Sequence, residues 1–574
     1  DIEWGISAGK IYLLQARAIK ARAAAPDQAE REQVRQEEMA ALQARAEPTG
    51  TVWSRYNLSE ILPEPTPMTW AIVRRFMSVA GGFGQMYIDL GFDPDPTLGE
   101  EGVFDLVCGR PYYNLSREPR MLYRRAPLEH PFAKLKQEPH KAIYPQPVPN
   151  PGKMGIGKFL LWLPVVAWQM MRTVSRCRRL TSSFHKELRE QIIPAFSAEV
   201  AEENKVDLGK LSDKELLDRL ERWQKRTLVD FARHSLKPTA LAGQAMGKLE
   251  QVLSRSLPPE RARAALGELV MGVHPDADAD LPAAIRDLSA GKIDQAAFLE
   301  RFGHRGSLEM ELAQPRWSEQ PESIEPLLHS EGSAAADKAT EKCDLETAWQ
   351  RVADEAKIAG PLRPGLLKEL QSLHTFLALR ETGKHYLMQG YALLRRILVE
   401  LDRRHGLDGG IFYLTPAELP RLIGGEDFKS EIAKRRRRRE LVLSLEAPQV
   451  IFSDDLEAIG RPATLQGSER LQGTPLSAGV AEGQALVLLE PTSESLPAEP
   501  FILVCPSTDP AWLPLFVRAS GLIMETGGVL SHGAIVAREF GLPAVAGIPD
   551  VHRRIRSGQK LHLDGATGVV TLVD

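Results

Sequence analysis

The chain has 574 residues, of which 43% are hydrophobic and 26% charged, and its formal net charge is -4 at pH 7. That length exceeds what one ordinary hydrophobic core holds, so several domains are expected. The composition is that of a folded globular protein, and the near-balanced charge points neither to nucleic acid nor to an acidic tail. Cys108, Cys177, Cys343 and Cys505 are far apart and form no metal-type spacing, which fits reduced thiols in a cytoplasmic protein.

The first residues, DIEWGISAGKIYLLQAR, are charged and polar where a secretory leader is apolar, and they read as the interior of a longer protein. Residues 1–20 are expected to hold a β-hairpin, because DIEWGI and KIYLLQAR alternate and SAG supplies the turn. Glu3 lies on the face opposite Ile2 and Trp4, while Gln15 and Arg17 share a face of the second strand. Residues 21–46, rich in Ala, Gln, Glu and Arg, read as a charged helical linker. LPEPTPMTW (62–70) then breaks the chain within a mostly helical domain placed at 47–447. Segments such as DKELLDRLERWQKRTLVDFARH carry apolar residues at spacings of three and four. The most apolar run, Phe159–Met171, contains Pro164 and falls short of the ~20 residues of a spanning helix. It is read as a buried, kinked helix in preference to a membrane-surface anchor. EGSAAADKATEK (331–342) reads as an exposed loop. KRRRRRE (434–440) reads as a solvated helix face, since no aromatic platform is interleaved with it.

Residues 448–470 have the look of a linker, and 471–574 alternate short apolar strands, glycine turns and one helix, the pattern of a compact α/β domain. Within it TGGVLSH follows the strand GLIME and opens a helix. Glycines there allow close backbone approach, and the first turn of a helix offers unpaired N–H groups to an anion. His532, beside Thr526, Gly527, Gly528 and Ser531, is set to take a phosphoryl group on nitrogen, with N–H and hydroxyl donors around the new anion. A helix-capping turn with a packed histidine has the same spacing, so the residues alone leave both readings open.

TGGVLSHGAIVAREFGLPAVAGI resembles the phosphohistidine motif of the phosphoenolpyruvate-utilising mobile domain. Phosphoenolpyruvate synthases, pyruvate phosphate dikinases, enzyme I of the sugar phosphotransferase system and rifampin phosphotransferases carry this domain. The resemblance extends through GTPLSAGVAEGQALVL and STDPAWLPLFVRASGLIMETGG, with Ala478 where the family commonly has proline. It implies that His532 carries the phosphoryl group and that the domain swivels between two distant sites. The N-terminal hairpin is similar to the last hairpin of an ATP-grasp domain. That similarity implies magnesium at Glu3 and Gln15 and nucleotide phosphates at Arg17, with the rest of the nucleotide site supplied in the same polypeptide or by a separate ATP-grasp chain.

Domain order, Gly533 after the histidine, and the segments LPEPTPMTW, GRPYYNLS (109–116) and FGHRGSLEMELAQPRW (302–317) are similar to the rifampin phosphotransferase branch. RETGK (380–384) matches a family pattern that stacks Arg380 and Lys384 on one helical face. Two cations there would hold a phosphoryl group in transit; an exposed charged face is the reading without the resemblance. His304 and Arg305 are assigned to the acceptor pocket, with core packing as the alternative. Glu309 and Glu311 are either acid/base groups or partners for arginines. The expected architecture is multidomain α+β: an N-terminal hairpin, a large helical acceptor domain and a C-terminal α/β swivelling domain. The expected activity is transfer of the β-phosphoryl of ATP, with magnesium, to a hydroxyl of a small-molecule acceptor, without nucleic acid or a membrane span. A phosphoenolpyruvate synthase-related protein and a non-catalytic binding protein are the alternatives.

Overall fold

The computed structural model describes residues 2–7, 10–16 and 28–573, other than 57, 125–126, 144, 154, 272, 326–344, 462–469, 492–495, 498 and 529–530. The loop expected at 331–342 and residue Arg17 therefore lie outside the described residues. Strands β1 (Ile2–Ser7) and β2 (Lys10–Ala16) form the expected antiparallel hairpin, with Glu3 opposite Gln15 and a register shift after Glu3. A hairpin alone does not establish an ATP-grasp domain.

Helices dominate from Gln28 to Leu443. Ser212 and Glu215 close a capping box at the start of the Asp213–Lys225 helix, satisfying two backbone donors reciprocally. The spine is a 43-residue helix, Arg363–His405, which ends where Gly406 turns left-handed at φ 58. Its Leu373, Phe376, Tyr391, Leu394 and Leu398 share the largest core with Phe196, Phe231, Leu241 and Leu249. At Gly390 a Cβ would meet Thr227 Oγ1 at 2.5 Å and the Phe196 ring at 2.6 Å. Glycine is what allows the spine to pass its neighbours this closely.

The region is not purely helical. Strands β3 (Val52–Ser54), β4 (Phe104–Val107) and β5 (Arg110–Asn114) form a four-stranded antiparallel sheet with β8 (Val450–Phe452), in the order β4-β5-β3-β8. The last strand comes from the segment read as linker. A separate small hairpin pairs β6 (Leu128–Glu129) with β7 (Val148–Pro149). Strands of two to five residues are too short for alternation to register as a pattern.

Two sequence readings are corrected. The Phe159–Met171 run is not buried: it belongs to the Ile156–Glu187 helix, which continues through Pro164, and Leu161 is 81% exposed and Met171 64%. The arginine run is not a plain solvated face either. On the Lys429–Leu443 helix, Arg437 pairs with Glu30, Arg438 with Glu37 and Glu38, and Arg439 donates to the Glu64 carbonyl. The acidic linker helix Gln28–Arg45 thus lies along it as a counter-charged partner. Among the described residues no helix is long and apolar enough to cross a membrane.

The C-terminal domain is one eight-stranded mixed sheet in the order β10-β14-β13-β12-β11-β15-β16-β9. Its strands are β9 (Arg470–Gln472), β10 (Thr474–Ser477), β11 (Val480–Val487), β12 (Phe501–Cys505), β13 (Ala519–Met524), β14 (Ala544–Ala546), β15 (Lys560–Asp564) and β16 (Val569–Val573). Strands β11 to β14 are mutually parallel. Val504, Ile523, Val551 and Ile555 belong to one core cluster of the domain. In another, Leu503, Leu522 and Ala537 are joined by Leu281, Ile285, Phe298, Phe302 and Trp317 of the helical region. The two regions are therefore docked through a common apolar core.

Candidate functional site

The helix His532–Glu539 is the crossover between parallel strands β13 and β14. Its first turn follows the carboxyl end of β13, beside the loop that leaves β12, the edge at which open α/β sheets place their ligands. Thr526 joins the two loops, donating from its N and its Oγ1 to the Pro506 carbonyl at 2.9 and 3.0 Å. Gly527 has φ +147, a conformation that favours glycine. Gly528 accepts from Ser531 N at 2.8 Å, and the Ser531 hydroxyl caps the helix by accepting from Ala534 N at 3.3 Å. The backbone of His532 begins the helix; its side chain, like Val529 and Leu530, lies outside the described residues. At Gly533 a Cβ would approach Thr508 Oγ1 to 2.4 Å and Met524 Sδ to 2.7 Å. The β12 exit loop is therefore packed directly against this first turn.

On the helical side, FGHRGSLEMELAQPRW and RETGK meet. Glu309 receives Arg305 Nη2 at 3.0 Å and Lys384 Nζ at 2.7 Å, and Arg305 and Glu309 are both buried. Burial alone would raise the Glu309 carboxyl, but Arg305 and Lys384 hold it well below the usual carboxylate range. Glu309 is thus an ionised partner of two cations. Glu311 is also a partner, but of hydroxyl and amide donors: Thr66 N and Oγ1, Thr69 Oγ1 and Ala313 N all donate to it within 2.9 Å. This carboxylate ties LPEPTPMTW to the 302–317 segment. His304 and His385 stand edge to face with centroids 4.6 Å apart. Burial pushes both rings down, His304 further through His385 and Arg305, and His385 through Arg305 to about 3, so both are neutral near pH 7. His304 Nε2 and His385 Nδ1 are enclosed without a hydrogen-bond partner among the described residues.

The two sides touch through residues that sequence reasoning did not single out. Asp509, at the end of the β12 exit loop, accepts from Ser307 Oγ at 3.1 Å and from Leu308 N at 2.9 Å, and also from Ala511 N at 2.9 Å. Enclosure pushes its carboxyl above the usual value. Leu308 is left-handed, with φ 45. Arg538, on the His532 helix, donates to the Leu476 carbonyl at 3.0 Å; burial, and then the charge of nearby Arg380, lowers it to about 10. Arg380 also lies 3.8 Å from Glu381. The structure therefore brings Arg380, Lys384, His304 and Arg305 to the face on which the His532 domain is docked. Glu3 and Gln15 are brought together by backbone register alone, their side chains lying outside the described residues. The only advance signal for Asp509 was STDP, within the stretch that resembled the mobile domain.

Residues 497–568 match the model of the PEP-utilising enzyme mobile domain. The C-terminal domain is of that type. Residues 216–381 match the rifampicin phosphotransferase fourth domain, a segment that runs through His304, Arg305 and Glu309 to Arg380. A rifampicin phosphotransferase of Streptomyces sviceus is 30% identical over 325 residues, covering 53% of this chain and 37% of that protein. One of Bacillus cereus is 31% identical over 320 residues, covering 52% of this chain and 37% of that protein. A phosphoenolpyruvate synthase of Aeropyrum pernix is 37% identical over 138 residues, covering 23% of this chain and 17% of that protein. The chain thus matches little more than a third of the length of the first two.

Proposed function

We propose that this chain is the acceptor-binding and phosphoryl-carrying part of an ATP-dependent phosphotransferase. Residues 47–447 hold a small-molecule acceptor and residues 471–574 carry the phosphoryl group on His532. A ring nitrogen of His532 attacks the β-phosphorus of ATP, and AMP leaves with the bridging oxygen. The γ-phosphate departs to water as inorganic phosphate. The acceptor hydroxyl then attacks the remaining phosphoryl group, the P–N bond breaks, and the hydroxyl proton is released.

The observation that carries this reading is the docking of the two regions: Arg538 of the His532 helix lies near Arg380, and Asp509, in the loop packed against that helix's first turn, fastens to Leu308, next to the Glu309 that holds Lys384. Cations there stabilise a group that is anionic throughout transfer. Thr526, Gly527, Gly528 and Ser531 shape the first turn, whose remaining N–H groups would receive the phosphoryl group carried on His532. His304 and His385, neutral and enclosed, would orient the acceptor by hydrogen bonds and not by charge. The relation to rifampicin phosphotransferases covers about half of the chain and that to phosphoenolpyruvate synthase 23%, which favours a hydroxyl acceptor over pyruvate.

Among the described residues no group of three His, Cys, Asp or Glu could hold a metal ion. Glu3 and Gln15, one carboxylate and one amide, would be a partial set of oxygen donors for magnesium. The nucleotide-binding residues beyond Glu3, Gln15 and Arg17 would come from an ATP-grasp domain in the same or a separate polypeptide.

With that domain supplied, ATP radiolabelled at the β-phosphate should leave an acid-labile, alkali-stable adduct on the chain. His532→Asn keeps much of the shape without the nucleophile and should abolish both the adduct and acceptor phosphorylation. Acceptor phosphorylation at the normal rate in His532→Asn would mean direct transfer and would end the carrier reading.

A further inference from the structure

Over residues 160–174 the Ile156–Glu187 helix turns polar side chains inward, while its later residues Cys177 and Phe184 join the apolar core. Gln169, Thr173 and Cys177 lie on its buried side: Gln169 Nε2 donates to Asp93 at 3.2 Å and Thr173 Oγ1 to the Gly91 carbonyl at 3.0 Å. The outward side carries Leu160, Leu161, Trp168, Met170, Met171 and Val174, exposed by 49 to 81%. At 100° per residue, Leu160, Met171, Val174 and Arg178 fall along one stripe. This reverses the usual surface helix, whose apolar stripe faces the core.

Charge decides what covers the stripe. From Ile156 to Lys186 there is no acidic residue, whereas Lys158, Arg172, Arg176, Arg178, Arg179 and Lys186 are cationic. Arg178 and Arg179 are exposed and make no ion pair among the described residues. Arg172 is 5.7 Å from the centroid of the Trp168 ring. From Leu160 to Val174 the stripe is about 22 Å long, at 1.5 Å per residue, too short to span a bilayer but ample to lie in its surface. Exposed aliphatic side chains, an exposed tryptophan and cations without acids are the features of an interfacial helix.

We propose that this helix docks the protein onto an anionic lipid surface. Leu160, Leu161, Trp168 and Met171 enter the boundary between headgroups and acyl chains, and Arg178 and Arg179 lie at headgroup level. The acidic headgroups replace the carboxylate partners missing between Ile156 and Lys186. The face is peripheral, so the protein remains releasable by salt.

The test is co-flotation of the full chain with vesicles of phosphatidylglycerol and phosphatidylcholine in equal parts, and with vesicles of phosphatidylcholine alone. Binding to the first, weakened by salt and much reduced on the second, is expected. The double variant Arg178→Ala/Arg179→Ala should weaken it roughly thirtyfold, from about 1 kcal/mol per cation near the surface. Leu161→Glu/Trp168→Glu should abolish it while leaving circular dichroism and thermal unfolding unchanged, because both side chains already face solvent. Failure to float with anionic vesicles overturns the proposal, as does undiminished flotation of the Leu161→Glu/Trp168→Glu variant. So does a dimer, seen by sedimentation and lost in that variant, in a chain that ignores vesicles: the stripe would then be a protein interface.

Discussion

Removing the Asp509 carboxylate should loosen the mobile domain from the helical domain. Asp509→Ala deletes the acceptor for Leu308 N and Ser307 Oγ, which reach it at 2.9 and 3.1 Å. The serine hydroxyl can rotate to another acceptor, but the backbone N–H of Leu308 cannot. An enclosed donor left unpaired costs about 1–3 kcal/mol. The left-handed backbone of Leu308 at φ 45 adds strain of roughly 1–2 kcal/mol that the lost contact no longer helps offset. Against this, an enclosed carboxylate with a raised pKa is itself unfavourable when ionised, and its deletion removes that penalty. A net loss of about 1–2 kcal/mol follows, or a five- to thirtyfold shift toward the undocked arrangement. Amide hydrogen exchange at Leu308 reads this directly and should accelerate by that factor. The shared apolar core remains, so exchange within strands β12 and β13 should not change. Unaltered protection at Leu308 in Asp509→Ala would refute the idea that this contact fastens the domains. The raised pKa adds a sign: the docked state binds the proton more tightly, so docking should strengthen as pH falls through the Asp509 titration and weaken above it.

Lys384→Ala should slow acceptor phosphorylation by about one to two decades, the worth of a charge-assisted contact of roughly 1.5–3 kcal/mol, while His532 labelling is preserved; equal turnover at saturating acceptor would return Lys384 to a structural pairing with Glu309. Glu309→Gln should destabilise the fold by about 3–5 kcal/mol in urea unfolding at neutral pH, because it strands the buried Arg305. Since the folded-state carboxyl is depressed, that difference is fully present above the ordinary glutamate pKa and should shrink as pH falls through the acid range below it; a pH-independent gap would count against the ion pair. Gly533→Ala should lose about 1–3 kcal/mol through the clash with Thr508 Oγ1 and Met524 Sδ, and Thr508→Ala should restore part of it in a double-mutant cycle.

The mobile domain was legible because its signals are local. A strand, a glycine turn, a capping serine and a helix occupy 519–539 in unbroken order, and each element is specified by its neighbours within a few residues. The spacing of Arg380 and Lys384 on one helical face was legible for the same reason. The burial of Phe159–Met171 was misjudged because apolar content states a preference for leaving water. It does not state whether another element arrives to cover the surface, and here Gln169 and Thr173 took the inward side.

The sequence by itself determined the long helices, the strand–turn–helix order of the C-terminal domain, where the candidate phosphoryl acceptor stands at a helix start, and which cations share a turn. Tertiary structure alone decided which of these groups meet. Asp509 reaches Ser307 across 202 positions, and Glu311 reaches Thr66 across 245. It alone assigned the arginines of Lys429–Leu443 to the acids of Gln28–Arg45. Backbone periodicity repeats over a few residues and can be read along the chain. A contact between loops hundreds of residues apart depends on how two cores pack together, and no local pattern in either loop encodes the other.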